Sequence, residues 1–307
     1  MTRSVCRWWP VLALLTACTT PPVVPVPTSL SLAPLTSARI GQPLSLRAVV
    51  RDQWGEVMAV PVAWTSSQPA LATVQGDTLT ATRLTPTNQP LTLTASAGPL
   101  HARTELTTTG LEVTLGTYAI QGQADLGTAA FVRFRPESGG AAPQAAVTFT
   151  APDGQPLLTD LVLLGAAGEV SAGWSYTLAP PQSGTYRAAL TDGDTRFTAS
   201  DEVDAASVAP FAAAAAVTIQ PDRSYEIRAD LTGQPVVLAT AFNQAIRYFG
   251  QASANELPKR GTVSLEPGTY TTGLFTLPLK LGAAPFQSPT PLTFNLTYQG
   301  TGPVTLP

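Results

Sequence analysis

The densest side chains able to do chemistry are acidic: Asp192-Gly193-Asp194, followed shortly by Asp201-Glu202-x-Asp204. Carboxylates alternating through a loop suit calcium, a hard cation that takes about six to eight oxygen ligands. The spacing departs from an EF-hand loop, and acids beside glycine in a hairpin commonly face water. A pair of these acids flanking a sugar bond would be glycosidase chemistry, but nothing in the sequence sets two of them across a cleft. The only histidine, His101, lies in Leu100-His101-Ala102-Arg103 near a strand end. Acyl-transfer chemistry would need it beside a serine and an orienting acid, and no serine stands in a Gly-x-Ser-x-Gly turn. One histidine and two cysteines also exclude zinc clusters. Three aromatic residues are candidate ligand platforms: Trp174 and Tyr176, which share a face of one strand by period two, and Trp54 in a turn. Each has a plainer reading as core or as a lid on the core. No cofactor, no metal and no catalysis are expected.

The cysteines have another use. Arg3 and Arg7 precede an apolar stretch from Trp8 to Leu15, interrupted by Pro10. This is the layout of an export signal, and it is too short for a spanning helix, which needs roughly 20 apolar residues. It ends in Leu15-Thr16-Ala17-Cys18, which resembles the lipobox of bacterial lipoproteins. The resemblance implies cleavage between Ala17 and Cys18 by the lipid-specific signal peptidase, diacylglycerol on Cys18, and a location in the cell envelope. Thr19 and Thr20 follow, with no aspartate beside the cysteine, which resembles lipoproteins passed to the outer membrane where the cell has one. Two or three acyl chains exceed the two-signal requirement for stable anchoring. Cys6 leaves with the signal and Cys18 is consumed by lipid, so stability must come from packed cores rather than disulfides.

Cleavage would lower the 17 basic residues to fifteen against 20 acids, about −5. Lys259 and Lys280 are the only lysines. No basic cluster is left to displace counterions from a nucleic acid, so that partner class is excluded.

The elements that must carry these residues are strands. Thr, Ala, Pro, Gly, Leu and Val dominate; Thr and Val favour strands and Pro and Gly punctuate them, the signature of many short strands joined by turns. Residues 18–28 form a tether with four prolines between Thr19 and Thr28, an extended spacer. From 29 to 109 strands of about five residues alternate with turns, as in a β-sandwich. Here Val62-x-Trp64-x-Ser66-Ser67-x-Pro69-x-x-Ala72-Thr73-Val74, preceded by Asp52-x-x-Gly55 and followed by Leu91-Thr92-Leu93-Thr94-Ala95, resembles the bacterial immunoglobulin-like domain of the group-2 type. That family implies a surface or spacer role and no catalytic residues. Trp64 reads as core. The stretch from Arg83 to Pro90 departs from the family pattern.

Residues 110–219 predict a second β-sandwich and 220–307 a third β-rich domain, with one larger unit from 111 to 307 as the alternative. Ala212–Ala216 reads as strand or linker, and Phe242 to Gln251 has room for a helical turn. A weak echo links Ser183-Gly184-Thr185-Tyr186 to Pro267-Gly268-Thr269-Tyr270. Glycine ahead of Thr-Tyr suits a sharp turn into a strand, with the tyrosine hydroxyl closing the domain end as a tyrosine corner. The sequence thus predicts an all-β chain of tandem immunoglobulin-like sandwiches after a signal peptide and tether. Its expected role is a surface-anchored structural or interaction protein that meets an envelope protein or polymer, with a carbohydrate- or polymer-binding module second and an exported hydrolase third.

Overall fold

The computed structural model describes residues 24–86, 88–140, 146–157, 161, 163, 170–209, 211–231, 236–277 and 296–307. The lipobox residues Ala17 and Cys18, with the tether as far as Val23, lie outside them. The end of the tether is fixed: the Gln53 side chain accepts from the Val26 N–H (2.7 Å) and donates to the Val24 carbonyl (3.2 Å). No helix of the described residues is long and apolar enough to cross a membrane, which leaves membrane-crossing strands unaddressed.

The regular elements of the described residues are almost entirely strands, and they form tandem β-sandwich modules, each with its own apolar core, with a fourth apolar cluster where two of them meet. Module 1 holds β1 (Pro27–Leu32), β2 (Ser37–Arg39), β3 (Pro43–Ser45), β4 (Ala48–Asp52), β5 (Val57–Met58), β6 (Ala63–Ser66), β7 (Ala72–Gln75), β8 (Thr78–Ala81) and β9 (Leu91–Ala97). Strand β9 alternates strictly, with Leu91, Leu93, Ala95 and Ala97 buried. Period-two apolar side chains reach one face only, and that face meets Leu79, Ala81, Ala72 and Leu106. Each such leucine contributes about 1.5–3 kcal/mol by leaving water.

Module 2 begins inside a strand that module 1 has already started. Strand β10 (Leu100–Ile120) pairs first with β9, then with β2, and then with β11 (Leu126–Arg135). Strands β12 (Thr148–Thr150), β13 (Pro156–Leu157), β14 (Ser171–Thr177), β15 (Gly184–Asp192) and β16 (Thr195–Val203) complete it. The β10-β11-β14 sheet packs on the β13-β12-β15-β16 sheet, with Leu111, Val132, Phe134, Phe149, Tyr186 and Phe197 between them.

Module 3 comprises β17 (Ala213–Ile219), β18 (Ser224–Asp230), β19 (Val236–Asn243), β20 (Ala245–Ser253), β21 (Lys259–Thr262), β22 (Gly268–Leu277) and β23 (Leu296–Leu306). Its core joins Val217, Ile219, Ile227, Val237, Ala239 and Leu274. The alanine-rich segment is therefore the first strand of the third core rather than the close of the second. Phe242 to Gln251, where the sequence left room for a helical turn, spans the β19–β20 hairpin. Cross-strand partners decide the outcome there.

Modules 2 and 3 repeat one topology. The antiparallel pairings β10–β11, β11–β14, β12–β13, β12–β15 and β15–β16 recur as β17–β18, β18–β21, β19–β20, β19–β22 and β22–β23. The Gly-Thr-Tyr echo marks equivalent positions in the two copies. Gly184 and Gly268 open β15 and β22 at φ +133° and +152°, a region that side chains avoid. Tyr186 then accepts from the Gln182 N–H (2.8 Å), and Tyr270 donates to the Glu266 carbonyl (2.9 Å). Each hydroxyl reaches back four residues to close a sandwich end. Tyr270→Phe should lower stability by about 0.5–1.5 kcal/mol, the usual net worth of one hydrogen bond. Gly184→Ala should cost about 1–3 kcal/mol through backbone strain. Urea unfolding of the full chain measures both.

Candidate functional site

Functional side chains gather where the modules meet, on one face of β10 and β11. Every residue from Thr108 to Ala119, and from Gly127 to Arg135, is buried, so these strands are covered on both faces. One face supplies the module 2 core. The other divides by chemistry into a charged half and an aromatic half.

The charged half receives module 1. Arg135 donates to the Thr85 hydroxyl (2.7 Å), the Thr85 carbonyl (3.0 Å) and the Thr108 carbonyl (2.9 Å). Glu112 accepts from the Leu84 N–H (3.0 Å) and pairs with Arg133 at 3.4 Å. Arg133 is 1% exposed and Glu112 7%. Burial, together with the charge of Arg133, pulls Arg135 down to about 10, and burial lowers Arg133 against the support of Glu112. Leu84 and Thr85, in the proline-containing stretch that is irregular in sequence, are thus one part of module 1 that docks on module 2. Arg39 of β2 is another, donating to the Arg196 carbonyl (2.8 Å) and lying over the Phe197 ring.

The aromatic half receives module 3. Tyr118, Ala119 and Ile120 of β10 pair in parallel with Leu296, Thr297 and Tyr298 of β23. This links the outer sheets of the two modules into one path, β14-β11-β10-β23-β22-β19-β20. On its face lie Tyr118, Phe131, Leu238 and Phe275, with Trp174, Tyr176 and Tyr298 packed against them. Tyr118 sits 4.3 Å from Tyr176, ring centre to ring centre, and Phe275 lies 4.8 Å from Tyr298 and 5.4 Å from Trp174. Trp174 meets Tyr248 at 5.7 Å, so side chains from the two edge strands of this path touch. Such aromatic pairs are worth about 0.5–1.5 kcal/mol each beyond their buried area. Gly273 makes room for the stack: a Cβ there would stand 2.6 Å from ring carbons of Tyr298.

Trp174 and Tyr176 therefore come together, but as half-buried members of a packed seam with a tilt of 30° between their rings. Trp54 stays 56% exposed and by itself, in a turn held by Asp52, whose carboxylate accepts from the Trp54 and Glu56 N–H groups. Trp64 is half-buried against the module 1 core. The acids do not converge. Asp192 and Asp194 lie at the β15–β16 turn, and Glu202 and Asp204 at the hairpin's other end, roughly 30 Å away over nine strand residues. Asp201 points inward instead, accepting from the Leu115 N–H at 2.7 Å, and burial raises its carboxyl. Among the described residues no group of three His, Cys, Asp or Glu is placed to hold a metal. His101 is exposed, with Nδ1 2.9 Å from the hydroxyl of its cross-strand partner Ser96. Sequence reasoning missed Arg133, Arg135, Tyr118 and Phe275. Two arginines two residues apart on the outward side of an apolar strand were the available signal.

No family model matches the chain, and no curated protein matches it. Among solved structures, domains 5–6 of the S-layer protein SbsC align at 13% identity over 59% of this chain and 98% of theirs, with a TM-score of 0.24. Domains 4–9 of SbsC align at 12% over 90% of this chain and 50% of theirs, also at 0.24. Titin domains A168–A170 align at 10% over 89% and 96%, at 0.21. At such scores these likenesses carry no functional transfer.

The aromatic seam has a pH signature. Burial pushes the Tyr118 phenol far above its ordinary value of 10.0, with the neighbouring phenols Tyr176 and Tyr298 adding to the shift. A raised phenol stays protonated in the folded chain while the unfolded chain ionises. Its contribution is complete below pH 10 and is lost as pH rises beyond that. Urea midpoints of wild type and Tyr118→Phe should differ by a constant amount up to about pH 10, and above it the wild-type midpoint should fall relative to the variant's; the comparison cancels the opposing gain from Arg135, which both chains share. A difference between the two that stays constant from about pH 9 to about 12 would contradict the buried assignment.

Proposed function

We propose that this chain is a lipoprotein of the cell envelope, tethered through lipid on Cys18, whose three modules act together as a stiff, non-catalytic scaffold for contacts with envelope components. Module 1 is read as a bacterial immunoglobulin-like domain of the group-2 type. The observation that supports the scaffold reading is the doubly covered β10–β11 pair. Both flanking modules are seated on it, so little freedom remains between neighbours. The charged groups that folding gathers, Glu112, Arg133 and Arg135, are engaged by backbone and by each other within that seam. Their chemistry is spent on orientation.

Cells fed labelled fatty acid test the anchor. The wild-type chain should carry label and sediment with membranes, whereas Cys18→Ala should carry none and stay unprocessed. Labelling that survives the substitution would overturn the anchor. Turnover of glycosidase, peptidase or esterase substrates, abolished by one acidic substitution, would overturn the non-catalytic half.

A further inference from the structure

The repeated topology allows modules 2 and 3 to be compared position by position, and their equivalent outer faces carry opposite chemistry. In module 3 the outer face of the four-stranded sheet bears Leu238 and Phe275 and is seated against module 2. Aligning the corner tyrosines Tyr186 and Tyr270 places Thr191 where Phe275 stands, Ala189 where Gly273 stands and Arg187 where Thr271 stands. Module 2 thus lacks the apolar surface with which module 3 recruits a neighbouring sandwich.

Register lays this face out in rows. Thr150, Arg187 and Ser200 form one, Thr148, Ala189 and Thr198 the next, and Thr191 with Arg196 a third. Rows on one face are about 7 Å apart, so the two arginines bracket roughly 14 Å of sheet. The small middle row leaves an open depression of about 380 Å³ between them. Both arginines are exposed, and among the described residues neither has a carboxylate within salt-bridge distance. Glu202, one row beyond Arg187, is engaged by the Thr185 hydroxyl.

Guanidinium forks match carboxylates and related oxyanions with two parallel hydrogen bonds. Threonine and serine hydroxyls both donate and accept, which suits a ligand covered in hydroxyls. We propose that this face binds an acidic polysaccharide. Arg187 and Arg196 take its anionic groups, and Thr148, Thr150, Thr198 and Ser200 take its hydroxyls. The proposal deepens the scaffold reading by naming a partner class, and it needs neither the lipid nor the seams.

Full-length protein in detergent, titrated calorimetrically with oligogalacturonate, dextran sulfate and neutral dextran, tests it. Saturable, salt-sensitive binding of oligogalacturonate, with none of dextran, is expected. Binding of dextran sulfate alone would keep the site and assign it a sulfate or phosphate ester. Arg187→Gln with Arg196→Gln should weaken binding at least tenfold, and Ala189→Phe should do the same by filling the depression with the charges intact. Arg47→Gln with Arg103→Gln removes the same charge from exposed sites on module 1 and should leave binding unchanged. Equal loss in both double variants, binding of neutral dextran, or no binding of either charged chain overturns the proposal. Fatty-acid labelling at Cys18 is unaffected by any of these results, so the two readings fail separately.

Discussion

Strand β10 has to satisfy three sets of neighbours with one run of side chains. Residues from Thr108 to Ala119 are buried throughout, and alternate positions point to opposite faces. Leu111, Val113 and Leu115 fill the module 2 core, which leaves Glu112 and Tyr118 on the reverse side for the flanking modules. Strand β11 answers in register, with Arg133 opposite Glu112 and Gly127 opposite Tyr118. A slip of one residue would turn arginine and glutamate into an apolar core, so the whole chain depends on this pairing.

The two seams do different work. A buried ion pair recovers little net stability after desolvation. Its worth lies in selectivity: only a module 1 that offers the Leu84 amide and the Thr85 carbonyl at the correct places satisfies Glu112 and Arg135. The aromatic seam supplies contact area and tolerates small shifts, since rings pack in many tilted arrangements. Between modules 1 and 2 there is no linker at all, because β10 leaves one sheet and enters the next without a break. The seams therefore restrict hinge motion at both junctions.

The class of the fold was legible because period-two alternation and turn chemistry are local signals, and strand β9 displays them without exception. The glycine-threonine-tyrosine echo was legible for the same reason, and its corner hydrogen bonds span only four residues. What was hidden depended on long-range partners. Nothing local to Arg133 and Arg135 shows what buries them, since the loop that does so lies some fifty positions earlier in an irregular, proline-containing stretch. Trp174 and Tyr176 could be placed on one strand face, but the rings that cover them come from β10, β20, β22 and β23, up to a hundred residues or more away. The acids of residues 192–204 looked clustered only along the chain. A nine-residue hairpin arm then carried them apart.

Amide hydrogen exchange across the seam tests the account most directly, because seated modules share protection and independent ones do not. Phe275→Ala removes an aromatic ring from module 3 alone. If the modules are joined as described, exchange should quicken in β11 and β14 of module 2 as well as in β22. Faster exchange confined to module 3, with β11 and β14 unchanged, would contradict a shared seam and with it the stiff scaffold.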